Sequence, residues 1–134
     1  MKYSMKSLVS TVLLTGVLFG VCSTVIADTS DTATAEIWKC TLNEGKTMDD
    51  VAAANGKWVK FMNANVEGGD IHSYGQTAMV GDQGSFLYID VFPDMKAWIA
   101  GKAAIDNEEG KAIEAELNGV ASCTTNSLYS STEH

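Results

Sequence analysis

The sequence predicts an α+β fold whose elements follow the order β-α-β-β-α-β. Three observations support this order: a strand over 86–92 with two unlike faces, apolar residues at helical spacing before and after the central strands, and glycine-containing turns between the segments. Two βαβ halves of this kind fold as a ferredoxin-like sandwich, which is an antiparallel sheet with two helices on one face. We expect this domain to span residues 35–129.

The clearest strand covers 86–92, and its period-2 alternation divides the side chains between two faces. One face is aliphatic and comprises Leu87, Ile89 and Val91. The other is aromatic with one charge and comprises Phe86, Tyr88, Asp90 and Phe92. We expect the aliphatic face to pack against the helices, so that the aromatic face meets a partner, a ligand or water.

The first half of the domain has clear start and stop signals. Its predicted elements are a strand over 35–42, a helix over 47–65 and a strand over 70–80. Thr47 and Asp50 have the spacing of a capping box at the helix start, and Gly68 and Gly69 follow its end. The glycine-flanked turn at 81–84 then predicts a hairpin into the strand over 86–92.

The second half of the domain is predicted to contain an interrupted helix. Its elements are a helix that begins at Pro93 and Asp94, breaks at Asp106 and Asn107 and restarts at Glu108, followed by a strand over 120–129. Residues 28–34 contain only Asp, Thr, Ser and Ala, which predicts a disordered spacer, and 130–134 form a predicted tail.

Residues 1–27 have the features of a secretory signal peptide. Two lysines precede an apolar run over 8–21, and Ala27 ends a small-residue cleavage pattern. The alternative is a retained membrane anchor, but the run is short for a span of about 20 residues. Lipid attachment at Cys22 is disfavoured because Val21 is too large for the position before it. We therefore expect a periplasmic or secreted protein with no stable membrane anchor after cleavage.

The charge of the chain argues against several kinds of partner. The 134 residues carry a net charge of −8 and no arginine, and cleavage would remove two lysines and no acid, which moves the charge to −10. Phosphate backbones are bound by clustered Lys and Arg, so nucleic acid is not an expected partner, and a strongly anionic ligand is disfavoured.

Cleavage of the signal peptide would leave Cys40 and Cys123 as an even pair in an exported chain. Such a pair predicts one disulfide, which would close a loop of about 80 residues. The predicted topology makes the first and last strands antiparallel neighbours, which agrees with this pairing. A redox-active or metal-binding pair is the alternative, but the wide spacing and the lack of a CxxC motif disfavour it.

Two segments resemble the dimeric α+β barrel superfamily, which includes cofactor-free monooxygenases of the antibiotic-biosynthesis type and NIPSNAP-like domains. They are the strand, turn and helix start from Trp38 to Thr47, and the strand from Phe86 to Pro93 that leads into the helix with Trp98. The resemblance covers about 35–129. It implies a homodimer whose two sheets close into a barrel, no cofactor, and a site within the barrel or between sheet and helices. An exported chain with a disulfide would differ from the members of this superfamily, which are mostly cytoplasmic. No set of catalytic residues can be transferred from them to this sequence.

A mixed polar and aromatic set of side chains predicts a ligand site. If each strand turns its more aliphatic face to the helices, the other faces converge. The candidate ligand-binding residues are Lys39, Tyr74, Gln76, Phe86 and Tyr88 on the strands and Trp58 on the first helix. The alternatives are a wet dimer interface for the strand residues and core packing for the tryptophan. Within a dimer barrel, a buried Asp90 would need Lys39 or a tyrosine hydroxyl as partner, or its pKa would rise.

His72 is the candidate general base, with Tyr88 and Asp90 as further catalytic candidates that position a substrate. The alternative is a surface or interface histidine. One histidine without a nearby cluster of cysteines or carboxylates is a poor ligand set, so no metal site is expected.

The function that the sequence favours is binding of a small apolar or aromatic molecule by a homodimeric barrel. The first alternative is a cofactor-independent monooxygenase or isomerase-like enzyme that acts on such a molecule. The second is a structural or interaction module of the cell envelope.

Overall fold

The computed structural model describes residues 32–132, and the predicted order of elements is confirmed within them. The elements are β1 (Thr32–Leu42), α1 (Met48–Asn65), β2 (His72–Thr77), β3 (Phe86–Phe92), α2 (Met95–Ala104), α3 (Glu108–Val120) and β4 (Ala121–Thr132). The predicted signal peptide lies outside these residues. None of the helices in this part of the chain is both long and apolar enough to cross a membrane.

The four strands form one antiparallel sheet in the order β2-β3-β1-β4. This is the strand order of the ferredoxin-like α+β fold, so the predicted fold class is confirmed. The predicted break in the second helix is also correct, because the Asn107 side chain accepts a hydrogen bond from the backbone N–H of Gly110 at 2.7 Å and caps α3.

The start of α1 follows from its sequence. The backbone N–H of Thr47 donates to the Asp50 carboxylate at 2.9 Å, and the Thr47 hydroxyl accepts from the backbone N–H of Asp50 at 3.3 Å. This is the predicted capping box. Asp94 begins α2 in a similar way by accepting from the backbone N–H of Ala97 at 2.7 Å.

β1 and β4 are longer than predicted, and β2 is shorter than predicted. Thr32 pairs with Thr132 and Thr34 pairs with Ser130, so part of the predicted spacer and part of the predicted tail are strand. The start of β1 and the end of β4 hydrogen-bond to each other through their backbones, and composition alone does not reveal this pairing. β2 covers only His72–Thr77, and it begins late because Asp70 adopts a positive φ of 59° just before it.

The prediction for the two faces of β3 is wrong. Its aromatic face is buried beneath the helices, whereas its aliphatic face is only half-buried on the opposite side of the sheet. Trp58 of α1 meets Phe92 edge to face, with ring centroids 6.2 Å apart. Large rings bury the most apolar area, and here the helices supply the complementary tryptophan. We call the side of the sheet beneath the helices the helix-covered face and the opposite side the open face.

The predicted disulfide is confirmed. Cys40 of β1 and Cys123 of β4 are bonded across 83 positions of sequence. The pairing of the two strands shifts at this point, because Lys39 lies opposite Thr125 while Cys40 lies opposite Cys123. Thr124 is therefore the extra residue of a β-bulge. The bulge keeps Cys123 on the helix-covered face, beside Cys40.

Two buried clusters fill the space between the sheet and the helices. The first comprises Trp58, Phe61, Met62, Val66, Ile71, Phe92, Ala97 and Ile105. The second comprises Cys40, Val51, Ala54, Phe86, Tyr88, Val120 and Ala121. Trp58 of the first cluster and Tyr88 of the second both line a cavity.

Candidate functional site

This cavity lies between the helix-covered face and the helices and has a volume of about 150 Å³. The residues that matter for its chemistry are Trp38, Trp58, Tyr88, Asp90, Lys102 and Glu114. An apolar cavity of about this size in another protein binds benzene, so there is room here for one aromatic ring.

Three aromatic side chains from two neighbouring strands and one helix form its walls. Trp38 of β1 pairs across the sheet with Tyr88 of β3, and residues paired in this way lie side by side on one face. Trp58 reaches the same space from α1 and is almost fully buried. The arrangement offers flat, polarisable surfaces to an aromatic ligand.

The hydroxyl of Tyr88 is buried and has no hydrogen-bond partner among residues 32–132. Burial raises the pKa of this group to about 12, and the nearby charge of Asp90 adds to the increase. The hydroxyl therefore keeps its proton and remains a donor. A buried donor without an acceptor costs about 1–3 kcal/mol.

Asp90 is a buried carboxyl, 7% exposed, beside Tyr88 on the same face. It accepts a hydrogen bond from the Ser73 hydroxyl at 2.5 Å, and that hydroxyl accepts from the Asn55 amide at 2.8 Å. Burial raises the pKa of Asp90 to about 6, and the charge of Glu36 adds to the increase, while the Ser73 hydrogen bond and Lys102 oppose it. A carboxylate with such a pKa can accept a proton near neutral pH.

Glu36 lies directly opposite Asp90 on β1 and is 2% exposed. Three donors compensate its charge: the Lys102 ammonium at 2.7 Å, the Asn126 amide at 2.9 Å and the Trp98 indole N–H at 3.1 Å. Sequence analysis missed this residue. The available signal was its alternation with Trp38 and Cys40, which places Glu36 on the same strand face.

The structure brings only some of the predicted site residues together. Trp58, Tyr88 and Asp90 line the cavity, and Phe86 lies on the same face within the second core cluster. The other four predicted site residues lie on the open face, where strand pairing places them beside the aliphatic residues of β3. They are Lys39, His72, Tyr74 and Gln76. Their predicted convergence with Tyr88 is wrong because the aromatic face of β3 turns toward the helices.

The open-face residues have partners of their own. The Nε2 atom of His72 lies 3.1 Å from Oδ1 of Asp70, and its ring stacks on Tyr74 with centroids 6.5 Å apart. Lys39 pairs with Asp82 at 3.0 Å. The sheet therefore separates His72 from Asp90, and the two do not share a site in this chain. Within residues 32–132, no three side chains of His, Cys, Asp or Glu are grouped to hold a metal ion.

The variant Asp90→Asn is expected to change how stability depends on pH. The pKa of Asp90 rises from 3.8 to about 6 on folding, so the folded state binds this proton more tightly than the unfolded chain. Its contribution to stability is therefore full below about pH 4 and is lost as the pH rises through 6. A difference of about two pKa units corresponds to about 3 kcal/mol. Urea denaturation should show the variant gaining up to that amount relative to wild type between about pH 4 and pH 7.

Asp82→Asn is the matched control for this experiment. Asp82 is exposed, and its pKa is lowered, chiefly by the hydrogen bond from Lys39, so the sign of its pH dependence is opposite. A difference between Asp90→Asn and wild type that stays constant with pH would contradict the raised pKa.

Several solved structures share this fold. SnoaB, a cofactor-independent oxygenase from Streptomyces nogalater, matches with a TM-score of 0.55 and 13% identity over 78% of this chain and 96% of that chain. A putative antibiotic biosynthesis monooxygenase from Chloroflexus aurantiacus J-10-fl matches with a TM-score of 0.54 and 11% identity over 76% and 95%. A NIPSNAP family protein of unknown function from Agrobacterium tumefaciens C58 matches with a TM-score of 0.50 and 12% identity over 75% and 88%.

These likenesses confirm the fold that the sequence resemblance implied, which is that of the antibiotic-biosynthesis-monooxygenase-like and NIPSNAP proteins. The sequence itself matches no protein-family model and no curated protein. The class that the fold defines is thus a ferredoxin-like α+β domain.

Proposed function

We propose that this protein binds a small aromatic molecule with a hydroxyl or carbonyl group in the cavity beneath its helices. The observation that carries the proposal is Tyr88, which lines the cavity and whose buried hydroxyl has no partner among residues 32–132. A ligand oxygen that accepted its hydrogen bond would remove the cost of the unsatisfied donor.

The shape and charge of the cavity narrow the class of ligand. Its volume suits a single ring, and Trp38 and Trp58 offer faces for stacking. The carboxylates of Glu36, Asp90 and Glu114 outnumber the one ammonium of Lys102 at or beside the cavity. This excess of negative charge disfavours an anionic ligand.

A cofactor-independent oxygenase or isomerase-like enzyme is the second candidate, and the position of Asp90 favours it. Its carboxylate, with a pKa of about 6, lines the cavity and is placed to remove a proton from a bound substrate. An oxygenase would then need molecular oxygen as its second substrate. In this proposal the base is Asp90, since His72 lies on the open face.

We also propose that the protein is exported after cleavage at Ala27 and forms a homodimer through its open face. A disulfide such as Cys40–Cys123 is typical of oxidising compartments outside the cytosol. The open face is rich in apolar side chains that belong to neither core cluster. They include Ile37, Ile89, Val91, Tyr74 and Tyr129. Burial of this surface against a second copy would close the barrel that the fold implies.

Tyr88→Phe tests the binding function in two ways. Removal of an unsatisfied buried hydroxyl is expected to raise the free energy of unfolding of the ligand-free protein by about 1 kcal/mol. The same variant should bind 4-ethylphenol about 5- to 10-fold more weakly, because the donor is lost. Isothermal titration calorimetry measures the affinity and urea denaturation the stability.

His72→Ala is the control, since it changes the open face and should leave the affinity for 4-ethylphenol unaltered. A Tyr88→Phe variant that bound 4-ethylphenol as tightly as wild type, or a wild type that bound none, would refute the proposed site.

A further inference from the structure

We propose that the ligand of this cavity is an aromatic amine, whose protonated nitrogen pairs with Asp90 and Glu114 while its ring lies between Trp38 and Trp58. The inference rests on the proposed small-molecule-binding function and names the chemical class that the site would select.

The first observation is the balance of charges around the cavity. Lys102 is the one cationic side chain that lines it, and its ammonium lies 2.7 Å from Glu36. Asp90 and Glu114 have no ion pair with any residue of 32–132. Asp90 receives only the neutral hydroxyl of Ser73. These two carboxylates therefore have no direct cationic partner among residues 32–132, although the charge of Lys102 also acts on Asp90.

The second observation is that the fold already holds an ammonium in surroundings of this kind. The Nζ atom of Lys102 lies 5.4 Å from the ring centroid of Trp38 and 5.6 Å from that of Trp98, and it contacts the Glu36 carboxylate. Aromatic faces attract cations through their quadrupole. Trp58, Trp38 and Asp90 offer the same combination of rings and carboxylate to a ligand inside the cavity.

The third observation is independent of charge. Tyr88 lines the cavity, its side chain is only 7% exposed, and its hydroxyl has no partner among residues 32–132. It can donate to an oxygen on the ligand. A ligand that satisfies Tyr88 and Asp90 together carries an oxygen acceptor, an aromatic ring and a cationic donor. A neutral ligand leaves the buried Asp90 charge without a direct ion-pair partner, and an anionic ligand is repelled by it.

Three probes that differ in one group test this inference: tyramine, 4-ethylphenol and 4-hydroxyphenylacetate. All carry the same phenol ring, and the substituent is cationic, neutral or anionic. Calorimetry on the disulfide-bonded protein at neutral pH should show tyramine binding about 10-fold more tightly than 4-ethylphenol. We expect 4-hydroxyphenylacetate to bind most weakly.

Variants separate the local site from the general acidity of the protein. Asp90→Asn should reduce the preference for tyramine over 4-ethylphenol to about 2-fold or less, and Glu114→Gln should reduce it by about 3-fold. Glu114 is exposed, so its variant is not expected to disturb folding. Glu116→Gln, on the same helix, removes an equal charge that pairs with Lys57 on the outer surface. This control should keep the full preference.

The outcomes distinguish the two proposals. Equal binding of tyramine and 4-ethylphenol would overturn the amine inference and leave the binding function standing. Failure of all three probes to bind would overturn both. A preference for tyramine that survived in both Asp90→Asn and Glu114→Gln would also overturn the inference, because it would come from net charge rather than from this cavity.

Discussion

Replacement of Cys40 and Cys123 by alanine is expected to lower the free energy of unfolding by about 4 kcal/mol. The bond closes a loop across 83 positions, so its loss frees most of the described chain in the unfolded state. Alanine is the suitable replacement because Cys40 is 1% exposed, and serine would bury a hydroxyl there. The loss is a large share of the stability of a domain of this size.

Urea denaturation of the oxidised and reduced wild type measures this effect, with the double alanine variant as control. Reduction should lower the unfolding midpoint of the wild type toward that of the variant and leave the variant unchanged. The intact mass of the wild type should rise by two hydrogens on reduction. A wild type whose midpoint does not respond to reductant would contradict a stabilising Cys40–Cys123 bond.

Lys102→Met is expected to lower the free energy of unfolding by about 3–5 kcal/mol, because it leaves the buried carboxylate of Glu36 without its counterion. Glu36 would keep only the Asn126 and Trp98 donors, at 2.9 and 3.1 Å. The double variant Glu36→Gln/Lys102→Met should recover most of the loss, since it removes both charges together. Such strong coupling is expected for two charged side chains in direct contact.

Lys57→Met is the matched control, because Lys57 pairs with Glu116 on the outer surface, where both side chains are well exposed. We expect it to cost less than about 1 kcal/mol. Equal losses for Lys102→Met and Lys57→Met in urea denaturation would show that the buried Glu36 charge does not need the Lys102 ammonium.

The strands and helices were predictable because their signals are local. Thr47 and Asp50 mark the start of α1, and Asn107 marks the restart at α3, since each cap involves residues three positions apart. The face of β3 that is buried was not predictable in this way. A period of two shows that the faces differ, but the helices decide which one is covered, and Trp58 meets Phe92 from 34 positions away.

In the candidate site, too, only the residues with a local sequence signal were predictable. Tyr88 and Asp90 stand out in the sequence because a hydroxyl and a charge interrupt an apolar strand. Glu36 and its donors were missed, since they lie 62 to 90 positions apart and meet only through the pairing of β1 with β4 and the packing of α2. His72 was favoured as a base for its chemistry alone. Its position on the open face depends on strand register, which its own surroundings in the sequence do not reveal.

The most direct test of the binding site is a ¹H–¹⁵N NMR titration of the disulfide-bonded protein with 4-ethylphenol and tyramine. We expect the indole N–H signals of Trp38 and Trp58 to shift on binding, together with the backbone amides of Tyr88 and Asp90. The backbone amide of Tyr129 on the open face should not change. Shifts confined to the open face, with the two indole signals unmoved, would contradict a binding site between the sheet and the helices.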